Sequence, residues 1–103
     1  MEPQMPQDTD DKFFERADAY ISLANQQVVD STRGKVSASM MYATSRFNAW
    51  VGACNCESAE ELAAAREQAI EYFVQQYREM LAENLDQYIQ NFDAFMTGEG
   101  GTK

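Results

Sequence analysis

From residue 59 to residue 96 the apolar side chains recur at helical spacing, and no other part of the chain can run alongside a helix of that length. As a single helix this segment would span roughly 57 Å at 1.5 Å per residue. The two helical segments before it reach only about 30 Å each on the same arithmetic. Its apolar pattern also changes phase. Leu62, Ala69, Ile70, Phe73, Tyr77, Met80 and Leu81 make one stripe. Leu85, Tyr88, Ile89, Phe92 and Met96 centre about 90° away from it. Asn84 falls on the first stripe where an apolar residue is due. The pattern therefore predicts a helix that is bent or broken near Asn84, with Asn84 available as a fresh cap. Without a break the helix runs on and presents a new face. A bare stripe of that kind does not stay in water. Either the chain folds back over it or a second chain covers it, and a helical dimer is the favoured outcome.

The segments before it are also helical. Phe13, Phe14, Ala17, Tyr20, Ile21, Ala24 and Val28 fall on one side of a first helix, which should start near Thr9 or Asp10 and end near Asp30. Ser31-Thr32-Arg33-Gly34 reads as the break, with Gly34 at a left-handed position. A second helix should cover about Lys35 to Cys54. There Val36, Met40, Ala43, Phe47, Trp50 and Cys54 follow a 4-3-4-3-4 seam. Its opposite side carries Ala38, Met41, Ser45, Ala49 and Gly52, small except for Met41. A helix apolar or small nearly all round belongs at the centre, and its small face would admit another helix closely. Ser58-Ala59-Glu60-Glu61 is a capping box and marks the start of the third helix. The fold class is thus all-α: a three-helix bundle with a long third helix. Residues 9–97 form one helical domain between a disordered lead (1–8) and a flexible tail (98–103).

Composition narrows the chemistry. The 103 residues include no histidine, 17 acids and 8 bases, for a net charge of −9. No histidine base, nucleophile pair or histidine metal ligand is available. The negative charge argues against nucleic acid, whose binding relies on Lys and Arg neutralising phosphates. The acidic N-terminus is no secretory signal, and no apolar run approaches a membrane span. A cytoplasmic protein with no membrane association is expected. Cys54 and Cys56 cannot supply the four ligands of a structural zinc site and read as reduced thiols near a helix end. Glu67 and Glu71, like Glu79 and Glu83, are spaced four apart on a solvated acidic face. No cofactor, metal or catalytic residue is assigned, and the chain is read as no enzyme.

Two sets of residues remain as candidates. Met41, Tyr42 and Tyr72 lie off the main stripes and suit a partner surface, since Tyr and Met are enriched at interface centres. Leu85, Tyr88, Ile89, Phe92 and Met96 join them as the overhanging stripe. Arg46 is the candidate contact for a small anionic ligand, because a guanidinium holds a carboxylate or phosphate in bidentate fashion. Its alternative role, shared with Arg66, is an inter-helix pair that fixes register, with Asp18 and Asp30 as partners of Arg46.

Four stretches carry a family resemblance: FFERADAYISLANQ at Phe13–Gln26, SMMYATSRFNAW at Ser39–Trp50, YFVQQY at Tyr72–Tyr77 and MLAENL at Met80–Leu85. They resemble a group of short proteobacterial proteins classed only as a domain of unknown function. The resemblance implies a bacterial, cytoplasmic, all-α protein and brings no functional residues with it. The expected role is a small interaction protein, self-associating or bound to a protein partner. A helical module recognising an anion through Arg46 is the alternative.

Overall fold

Local hydrogen bonds fix the helix ends. The Asp10 carbonyl accepts from Phe13 N at 3.2 Å, and the Asp10 carboxylate accepts from the Arg16 guanidinium at 2.7 Å. That bond holds the Asp10 carboxyl below its ordinary range. Residues 9–97 are described by the computed structural model, and helix α1 (Phe13–Val29) begins just beyond this pair. The expected lead and tail lie outside the described residues. Helix α2 (Arg33–Cys54) starts earlier than its apolar pattern suggests. Thr32 is extended, and its hydroxyl accepts from Lys35 N at 3.1 Å. A threonine cap of this kind satisfies one of the free N–H groups of the first turn. Gly34 consequently lies inside the helix and takes no left-handed turn.

Helix α3 (Ala59–Gln90) opens on the expected box. Ser58 Oγ accepts from Glu61 N at 3.1 Å, and Glu61 reaches back to accept from Glu57 N at 2.9 Å. The predicted break near Asn84 is absent: α3 runs through it without interruption. Asparagine costs a helix interior only a few tenths of a kcal/mol relative to average residues, too little to end one. The interruption comes at Asn91, whose backbone leaves the helical region at φ −123° and ψ 33°. The Gln87 carbonyl there accepts both the backbone N–H and the side-chain amide of Asn91, each at 3.0 Å. A short α4 (Phe92–Met96) follows and sets Phe95 edge-on against Tyr88, with ring centroids 4.8 Å apart.

Helix α2 packs against α1 on one side and α3 on the other, and α4 packs against the end of α3. The layout is all-α, as the sequence implies, but open. Val36, at 8% exposure, is the one buried residue among those described. Phe13, Ala17, Ile21, Ala24 and Val28 of the α1 stripe are half-buried, while Phe14 and Tyr20 are exposed. The α2 seam is covered only at Val36; Phe47 and Trp50 stand 61% and 60% exposed. The radius of gyration is 16.3 Å, where a compact chain of this length would have about 13 Å.

Replacing Ser58 with Ala should cost about 1 kcal/mol of stability, because it removes the cap of the longest helix. Urea unfolding followed by circular dichroism measures it, and a midpoint unchanged from the parent would contradict the role of the box.

Candidate partner interface

The small face of α2 and the first half of α3 look toward each other across an open groove of about 920 Å³. Met40, Met41 and Ala49 stand on the α2 wall, and Leu62, Phe73 and Tyr77 on the α3 wall. The residue pattern suggests that this face admits a helix closely, and within one chain it does not. A Cβ placed on Gly52, which also lines the groove, would meet no atom within 4 Å. The single charge in the lining is Arg66, and it bonds the adjacent Glu67 on its own helix. It makes no inter-helix pair, because no acid of α1 or α2 stands opposite it.

Beyond the groove the apolar surface continues along α3. Ile70, Val74, Tyr77, Leu81, Leu85 and Tyr88 are spaced 4-3-4-4-3, a straight seam on one side of the helix. All are exposed except half-buried Tyr88; Val74 is 58% and Leu85 54% exposed. Assigning Ile70, Tyr77 and Leu81 to a core stripe hides this seam, and the apparent phase change at Asn84 follows from that assignment. Asn84 lies roughly 60° to the side of the seam, exposed, so nothing forces a break there.

The candidate residues fall on separate faces. Met41 lines the groove, and Leu85 and Tyr88 extend its α3 wall. Ile89 flanks the seam, while Phe92 and Met96 expose apolar surface on α4. Tyr72 sits on the far side of α3, edge-on to Phe73 at 5.2 Å. Tyr42 and Arg46 belong to the outer face of α2, beside Phe47 and Trp50, whose rings are 5.5 Å apart. No ion pair reaches Arg46 among the described residues, so neither Asp18 nor Asp30 meets it. Its surroundings come entirely from one helix, which gives a ligand a shallow hollow and no opposing wall.

Charge divides between the two helices. Helix α2 carries Arg33, Lys35 and Arg46 with no acid, whereas α3 carries seven acids against Arg66 and Arg78. Cys54 and Cys56 are free thiols where α2 ends, the first exposed and the second half-buried. Among the described residues no three Cys, Asp or Glu side chains gather as metal ligands would. No helix there is long and apolar enough to cross a membrane.

These features define an open all-helical scaffold with a continuous apolar surface on its second and third helices. Residues 13–89 match the family described as protein of unknown function DUF3144, and the chain belongs to that family. The match spans α1 through all but the last residue of α3 and stops short of α4. The fold is similar to the NMR structure of the protein NB7890A from Shewanella sp., at 38% identity and a TM-score of 0.71, over 86% of this chain and 95% of that one. No curated protein matches the chain.

Trp50 is the chain's one tryptophan and reports on the outer face of α2. Its fluorescence should lie at the long-wavelength end of the indole range and be readily quenched by acrylamide. Short-wavelength, protected emission would mean that a partner covers this face rather than the groove.

Proposed function

We propose that the protein is a non-catalytic interaction module that docks a polypeptide helix on the surface shared by α2 and α3. The observation that carries this is the groove with its continuation: two facing apolar walls, one charge in the lining, and a bare seam leading out of it along α3. A helix with apolar residues at i, i+3, i+4 and i+7 has the shape to fill such a groove. Burial is the physical drive, at about 25 cal/mol per Å² of apolar surface removed from water. The Arg46 hollow gives an anion far less. Ligand sites enclose most of the ligand, and a hollow on one convex helix cannot.

A photo-reactive amino acid at Tyr77, on the groove rim, should form an adduct with a polypeptide when irradiated in cells. The same group at Gln68, which is exposed and away from the seam, should form none. Absence of an adduct from Tyr77 would overturn the docking role.

A further inference from the structure

We propose that the helix docked on this surface is α3 of a second copy of the chain, lying antiparallel across a two-fold axis near the middle of the seam. The proposal rests on the docking role above and names its partner. Three observations carry it.

The first is area. Ile70, Val74, Tyr77, Leu81 and Leu85 stand 40–58% exposed along one side of α3, and Met40 and Met41 stand 37% and 56% exposed on the facing α2. A standard interface needs only about 800 Å² from each partner. The groove and the seam are the apolar surface that a second copy would cover.

The second is the match of ends. The first half of α3 forms a groove with α2 that lacks a helix. The second half, from Leu81 to Tyr88, is a helix that lacks a groove. An antiparallel two-fold pairing answers both needs with one self-complementary contact, because whatever the first copy gives the second it also receives. A parallel pairing would set groove against groove and leave both walls short of an occupant.

The third is charge. Glu79, Glu83 and Asp86 of the second half lie on the side of α3 opposite the seam, so the face that would enter the apolar groove carries no charged side chain.

The test uses the full chain with Cys54 and Cys56 replaced by Ser and one new cysteine for a spin label, at Ala82 or at Gln68, both exposed positions of α3 to the side of the seam. Light scattering on the unlabelled parent should give about 23 kDa, twice the chain mass. Pulsed dipolar spectroscopy should give a short label-to-label distance at Ala82, two residues or so beyond the two-fold axis. At Gln68 the distance should exceed roughly 30 Å, since the two labels lie at opposite ends of the pair. Leu85→Arg should return the mass to that of one chain while helical circular dichroism is retained. Short distances at both sites would overturn the antiparallel arrangement. A monomer mass for the parent at every concentration up to about 0.2 mM would overturn the second copy as partner, affinities weaker than that being the weak-encounter range. Cross-linking from Tyr77 to a different polypeptide would still support the docking role in that case, so the two failures are distinguishable.

Discussion

Burial is the scarce quantity in this chain. Ordering the backbone costs about 1–2 kcal/mol per residue, and most of that is usually offset by a packed interior. Here Val36 alone is buried among the described residues, while Phe47, Trp50, Val74 and Leu85 stay largely in water. The helices are therefore defined mainly by what each does for itself: the Thr32 and Ser58 caps, the Asp10–Arg16 bond, and an unbroken ladder through α3. Such local terms are individually small. An exposed ion pair such as Asp10–Arg16 contributes little. The arrangement of helices depends on apolar faces whose cover is only partly supplied by the chain.

That condition explains which features were legible in the sequence. The box at Ser58 and Glu61 is a local device, set by residues a few positions apart, and it forms as read. The all-helical class and the long third helix follow from periodicity and are present. The core was legible only as a pattern. The Val36–Cys54 seam has the spacing of buried residues, and spacing marks a face as apolar without naming what covers it. Asn84 illustrates the same gap. It interrupts a stripe only if Ile70, Tyr77 and Leu81 are assigned to the interior, and the structure leaves all three exposed. Asn91, which does end α3, offers no hydrophobic signal. The Gln87 carbonyl accepts both the backbone N–H and the side-chain amide of Asn91.

The candidate surface was legible in part. Met41, Leu85 and Tyr88 were recognisable as apolar residues without an evident place in a core, and they border the groove or its extension. Ile70 and Tyr77 were missed because each fits an interior stripe as well as a seam, and Val74 because it falls on neither of the two stripes drawn. Arg46 stood out by its isolation among apolar neighbours. It lies on the outer face of α2, where no described acid pairs with it.

Each helix meets chiefly its neighbour in sequence, and this has a kinetic consequence. Chains whose contacts are local fold quickly, in microseconds to milliseconds, because little loop entropy must be lost before contacts form. The Thr32 and Ser58 turns can close as soon as the adjoining residues exist. The helices can then take shape while the chain is still being made, and if a second copy covers the seam as proposed, the slow event is a bimolecular encounter. The rate of such an encounter would scale with concentration, which would make abundance in the cell a structural variable of the protein.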